Sequence, residues 1–222
     1  INHCLFGQVV IDKFAMYAGK TFKTEIVGYE YFQKLANQNE GFVQLSSHVG
    51  NYEIAGYTLK ADKKKFNALV FWGEKASVMQ NRMKLFADTN INMIAIRPDM
   101  GHLFEIDEAL TNGETVSMPA DRIFGSQKKI TTDFLGADAD FPYGPFSVAT
   151  MRALDVITVH VVKLSWNQYK IIVTPLLYNK AASRRVQIME LNRAYVDELE
   201  RIVSLYPTQW YNYFEFWSTN KI

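Results

Sequence analysis

Phe42-Val43-Gln44-Leu45-Ser46-Ser47-His48-Val49-Gly50-Asn51-Tyr52-Glu53 is the stretch on which the reading of this chain turns. Its first six residues make a largely apolar run of strand length, which reads as a buried strand over 42–47. Residues 51–60 read as a helix. A histidine and a carboxylate are therefore held at a strand-to-helix turn. Inside one regular helix, five residues rotate by about 500°, so the two side chains would diverge by about 140°. They can meet only with His48 in the turn and Glu53 in the helix. Gly50 permits the turn, and Asn51 suits an N-cap. An imidazole with one nitrogen held by a carboxylate keeps the other to take up a proton. On this reading His48 is a general base and Glu53 orients it.

Working outward, apolar runs alternate with helical patterns. Helices are expected over 6–19, 51–60, 76–88, 102–112 and 184–205, with another opening at Gly144-Pro145, where proline suits a first helical turn. Strands are expected over 42–47, 67–72, 91–96 and 115–118. Two further strands, 156–164 and 169–175, pair across a turn near Trp166-Asn167-Gln168. This alternation predicts an α/β fold, a single domain with a mostly parallel central sheet flanked by helices. No repeat or Pro/Gly-rich linker divides the 222 residues.

Composition excludes some classes. The chain is 48% hydrophobic and carries 24 basic against 23 acidic residues, so no charge excess points to nucleic acid. The one cysteine, Cys4, cannot form an internal disulfide and fits a reducing compartment. No uncharged apolar run is long enough to span a bilayer. No metal is expected: Asp138-Ala139-Asp140 reads as a solvated turn, and His102 and His160 lack partners at ligand spacing, His160 reading as a satisfied core residue.

The spelling Ser47-His48-Val49-Gly50-Asn51-Tyr52-Glu53 resembles the His-x-x-x-x-Asp/Glu motif of glycerolipid acyltransferases, and more closely the His-x-Gly-Asn-Trp-Glu form of the late acyltransferases of lipid A biosynthesis. Further segments are similar to that family in the same order: Asn112-Gly113-Glu114-Thr115-Val116 with Pro119-Ala120-Asp121-Arg122, then Phe134-Leu135-Gly136-Ala137-Asp138-Ala139 with Gly144-Pro145-Phe146, then Leu199-Glu200 with Pro207-Thr208-Gln209-Trp210. The resemblance spans residues 6 to 217. It implies a glycerolipid-acyltransferase-like fold and a membrane-associated enzyme that moves a fatty acyl group from acyl carrier protein, or from acyl-CoA, to a lipid hydroxyl or amine. No cofactor is implied. The setting implied is the cytoplasmic face of the bacterial inner membrane, with an N-terminal membrane helix upstream of Ile1. The alternatives are a lipid-binding module on the same fold and an acyl-thioester hydrolase.

Acyl transfer to a hydroxyl needs a base and donors for an oxyanion. His48 is the base, and amides at the start of the 51–60 helix are the candidate donors. Asp121 is placed by the resemblance among the catalytic residues, at the C-terminal end of a short strand, where open α/β sheets bind ligands. Arg82, Asn51 and Arg122 are candidates for substrate binding. The family commonly has Gln where Arg122 stands, and a guanidinium there suits a phosphate or carboxylate. Ser46 or Ser47 as a nucleophile would make a Ser–His hydrolase, but no second acid completes a triad. The basic run Lys60 to Lys65 suits an acidic carrier or anionic lipid. An apolar groove leading to His48 is expected, walled by Leu69-Val70-Phe71-Trp72, by Met79, Met83 and Phe86, and by Trp210 and Phe214.

Overall fold

A computed structural model describes residues 1–59, 64–71, 90–97, 99–123 and 128–217. The expected helix over 76–88, with Arg82, Met79, Met83 and Phe86, lies outside the described residues, as do Lys60, Lys63 and Trp72.

The chain opens with helix α1 (Asn2–Tyr17), strand β1 (Lys23–Val27) and helix α2 (Tyr29–Asn37). Strand β2 (Phe42–Ser46) and the six-residue helix α3 (Glu53–Thr58) flank the His48 turn. Then come β3 (Phe66–Phe71), β4 (Ile91–Ile96), α4 (His102–Thr111) and β5 (Thr115–Pro119). A hairpin, β6 (Lys129–Phe134) and β7 (Ala137–Pro142), precedes α5 (Tyr143–Met151), β8 (Asp155–Ser165), β9 (Gln168–Leu176) and α6 (Arg184–Leu205). A 3-10 turn over Pro207–Gln209 leads into the C-terminal segment.

Among the described residues, seven strands form one sheet in the order β1-β9-β8-β2-β5-β3-β4. All neighbours are parallel except β8 and β9, which form the expected antiparallel pair. All five residues of β2, the central strand, are buried. Successive side chains point to opposite faces, and both faces are covered. Val43 and Leu45 join the core under α6, with Leu191, Tyr195 and Leu199. Phe42 joins the core on the other face, with Phe32, Leu35 and Ala36 of α2. Fully burying each such side chain contributes about 1.5–3 kcal/mol. A strand buried on both sides has no freedom to slip, because a one-residue shift would exchange its two apolar sets.

Strand β1, helix α2 and the β6–β7 hairpin were not expected from the sequence. Strand β1 sits at the sheet edge, and its charged residues hide its pattern; Glu25 pairs with Lys170 on β9 at 2.9 Å. Helix α2 follows directly from Gly28. The β6–β7 hairpin is polar on one face, and Asp138 and Asp140 lie in β7 rather than in a solvated turn. Leu135 and Gly136 both have positive φ (55° and 82°), as a two-residue hairpin turn matched to strand twist requires.

Candidate active site

The sheet builds the site by register. On the adjacent parallel strands β2 and β5, Ser46 is paired with Pro119. His48 and Asp121 each stand two residues beyond that pair, so both emerge at the same C-terminal edge. His48 Nδ1 lies 2.7 Å from Asp121 Oδ1, and the His48 backbone N–H donates to Asp121 Oδ2 at 2.8 Å. Asp121 is fully buried, whereas the His48 side chain keeps about 21% of its surface exposed.

Burial pushes the Asp121 carboxyl up, but the attraction of His48 and the two hydrogen bonds from it outweigh that, and the group ends below its usual range. Asp121 is therefore an ionised acceptor. An ionised carboxylate can only accept, so the shared hydrogen sits on His48 Nδ1 and the Nε2 lone pair is left for chemistry.

Here the structure departs from the sequence expectation. The carboxylate that orients His48 is Asp121 and not Glu53. Helix α3 begins at Glu53 itself, and its side chain is turned toward α1. There it accepts from Tyr17 at 2.8 Å and meets Lys13 at 2.6 Å. Lys13 Nζ also stands 5.7 Å from the centre of the Tyr52 ring, and that ring meets the His48 imidazole edge-on at 6.1 Å. Glu53 is thus near the site but fastens α1 to α3. Nothing in the spacing of Lys13 or Tyr17 singled them out.

The turn is held on two sides. Gly50 has φ +60°, and a Cβ there would lie 1.8 Å from the carbonyl oxygen of Val161 on β8, so only glycine fits. The Gly50 amide donates to Gln209 O at 2.8 Å, and the Asn51 amide to Val161 O at 2.9 Å. Of the amides expected as oxyanion donors at this helix start, that of Asn51 is therefore already engaged. The helix N-cap is Tyr52 rather than Asn51. Asn51 is 2% exposed, and its Nδ2 has no hydrogen-bond partner among the described residues.

Arg122 is also otherwise engaged. Its guanidinium donates to Asn212 Oδ1 at 2.7 Å and to Tyr211 O at 2.5 Å, and it stands 5.8 Å from the Phe214 ring centre. It ties the C-terminal segment beside Asp121 and also lines a cleft. A cleft of about 510 Å³ opens between these parts, lined by Asp121, Arg122, Ile123, Asp140, Phe214, Glu215, Phe216 and Trp217. Phe214 lines it as expected, but neither His48 nor Trp210 is among its lining residues, and the cleft meets the pair only at Asp121. Trp210 instead donates its Nε1–H to Asp121 Oδ2 at 3.3 Å.

The two serines before His48 belong elsewhere. Ser47 is buried with its Oγ 3.0 Å from Nδ1 of His160, and the backbone oxygen of Ser46 accepts from the Tyr195 hydroxyl at 2.9 Å in the core. His160 Nε2 has no partner among the described residues, so this core histidine is satisfied on one side only. Lys64 is buried too. Its ammonium reaches the carbonyl oxygens of Gln38, Glu40 and Gly113 at 2.8, 2.9 and 2.8 Å, so this member of the basic run is structural, while Lys65 is exposed. No group of three or more His, Cys, Asp or Glu that could hold a metal occurs among the described residues.

A site of this kind, an imidazole–carboxylate pair at the sheet's C-terminal edge, can be compared with known proteins. No curated protein matches the sequence. Among solved structures, the 1-acyl-sn-glycerophosphate (LPA) acyltransferase PlsC from Thermotoga maritima aligns with a TM-score of 0.50, at 14% identity, over 94% of this chain and 81% of that one. It shares the fold. Residues 12–219 match the family described as bacterial lipid A biosynthesis acyltransferase, and with that span the chain belongs to this acyltransferase family.

Proposed function

We propose that the protein transfers a fatty acyl group from an acyl thioester, carried by acyl carrier protein, to a hydroxyl or amine of a lipid at a membrane surface. The observation that carries this reading is the His48–Asp121 pair: a partly exposed imidazole, fixed in one tautomer by a buried carboxylate that itself lines a cleft. His48 Nε2 takes the proton of the acceptor hydroxyl as its oxygen attacks the thioester carbonyl. The tetrahedral intermediate collapses, the C–S bond breaks, and the leaving sulfur receives the proton from the imidazolium. Asp121 stabilises that imidazolium. No acyl-enzyme is required.

The lipid acceptor follows from the family and from the apolar surface available. Phe214, Phe216 and Trp217 give the cleft an aromatic wall, and α1 leaves Ile11 and Phe14, one turn apart, largely exposed. Such side chains suit contact with acyl chains or an interface. No helix among the described residues is long and apolar enough to cross a membrane.

The test is thiol release from dodecanoyl-acyl carrier protein and from dodecanoyl-CoA, with dispersed lysophosphatidic acid or underacylated lipid A as acceptor and the product identified by mass spectrometry. Acylated lipid should form with the wild type and fall by about 10²–10⁴-fold in His48→Ala. Unchanged turnover in that variant refutes His48 as the base. Free fatty acid as the only product assigns the site to thioester hydrolysis.

A further inference from the structure

The segment Gln209-Trp210-Tyr211 touches both members of the catalytic pair, and it does so from a part of the chain far beyond Asp121 in sequence. The Tyr211 amide donates to His48 O at 3.0 Å, and Gln209 O accepts from the Gly50 amide at 2.8 Å, so the segment runs as an antiparallel neighbour of the His48 turn, with Val49 bridged to Trp210. The Gln209 side chain is itself clamped on β8, accepting from the Lys163 amide at 2.7 Å and donating to Lys163 O at 2.8 Å. The indole is seated edge-on against Phe216 at 4.7 Å and Phe134 at 5.3 Å. From that seat its Nε1–H reaches Asp121 Oδ2 at 3.3 Å.

From this geometry, and resting on the proposed role of His48 as base, we infer that Trp210 is a positioning residue for acyl transfer, holding the Asp121 carboxylate at the rotation that aims Oδ1 at His48 Nδ1. The two carboxylate oxygens have separate duties. Oδ2 accepts the His48 backbone N–H and the indole N–H, while Oδ1 accepts the imidazole N–H. A buried carboxylate with a donor missing becomes more basic and freer to rotate. Both changes act through the imidazole: the proton is held more tightly, and Nε2 is aimed less well. Trp210 acts through Asp121 and is not among the residues that line the cleft, so its loss lowers kcat and leaves the thioester KM alone.

Trp210→Phe removes the N–H together with one ring of the indole and keeps an aromatic ring for Phe216 and Phe134; Trp210→Leu removes the N–H without a ring, should the stack reject Phe. The readout is thiol release from dodecanoyl-acyl carrier protein across the range of about pH 5–9, together with the downfield proton resonance of His48 Nδ1–H. The expected result is a fall in kcat of about tenfold, the scale of one hydrogen bond to a charged group. KM should stay within about twofold, the acid limb of the kcat profile should move to higher pH, and the downfield resonance should shift. A higher KM with an unmoved profile and resonance would mean that Trp210 is packing alone, and unchanged kcat would equally overturn the inference. His48→Ala separates the two levels: if it retains turnover, the base assignment fails, whereas full loss there beside wild-type behaviour in Trp210→Phe removes only the role of Trp210.

Discussion

Glu53 and Lys13 meet at 2.6 Å, with the Glu53 side chain 4% exposed, and so the acid of the His-x-x-x-x-Glu motif joins two helices while a residue 73 positions beyond His48 orients the imidazole. The carboxylates therefore part company under mutation. Asp121→Asn should cut acyl transfer by about 10²–10⁴-fold, because an amide cannot stabilise the imidazolium and can favour the wrong tautomer. Glu53→Gln should cost about 1–2 kcal/mol of stability through the weakened contacts to Lys13 and Tyr17. Its loss of activity should be the smaller. Steady-state kinetics and urea denaturation on both variants check this; a larger kinetic defect in Glu53→Gln would restore Glu53 as the orienting acid.

Lys64 carries a second prediction. Its ammonium caps the carbonyl oxygens of Gln38 and Glu40, where the chain enters β2, and of Gly113, where it enters β5. Lys64→Met leaves those oxygens without their donor and should destabilise the fold by about 3 kcal/mol, read from the denaturation midpoint. Lys65→Glu, on an exposed residue, should leave stability nearly unchanged. If the basic run docks acyl carrier protein, that change should raise KM for the carrier, and the defect should shrink with added salt, since exposed charges are screened over about 8–10 Å.

The buried run 42–46 and the alternation around it made the parallel sheet legible in the sequence, because a strand covered on both faces carries apolar side chains on both, as Phe42, Val43 and Leu45 do. The His48 turn was legible because Gly50 is forced by the approach to Val161. The pairing of His48 with Asp121 depends on which strands are neighbours and in what register, and periodicity carries no information about that. Strand β1 carries no apolar signature, because an edge strand can hold Lys23 and Glu25. Arg122 and Lys64 looked like free cations, since a sequence shows a charge but not the carbonyl oxygens that the fold brings to it.

Arg122 anchors the third prediction. Arg122→Ala should release Asn212, the Tyr211 carbonyl and the Phe214 ring together. Amide hydrogen exchange over residues 211–217 should accelerate, while α6 stays protected. Because this segment walls the cleft, KM for the lipid acceptor should rise more than kcat falls. A phosphate-binding role would instead make the defect depend on an anionic head group. Comparing a phosphorylated acceptor with its dephosphorylated form distinguishes the two: equal defects support the anchor.

The last prediction concerns acid stability. His160 is 1% exposed, and burial holds its imidazole down to about 4, from an ordinary value of 6.5. The attraction of Glu198 and Asp121 opposes this only partly. The unfolded chain therefore binds a proton at His160 near pH 6.5, and the folded chain resists it until about pH 4. Between these values the unfolded state holds more protons, so stability falls as the pH falls. The contribution is fully present above about pH 6.5 and lost by about pH 4, a difference of about 3 kcal/mol. His160→Gln does not titrate, and Gln can still reach Ser47. Its denaturation midpoint should change less between about pH 7 and pH 4.5 than that of the wild type, even if its stability at neutral pH is lower. Parallel pH curves for the two proteins would mean that His160 accepts its proton in the folded state without penalty, with water or movement relieving its unpartnered Nε2.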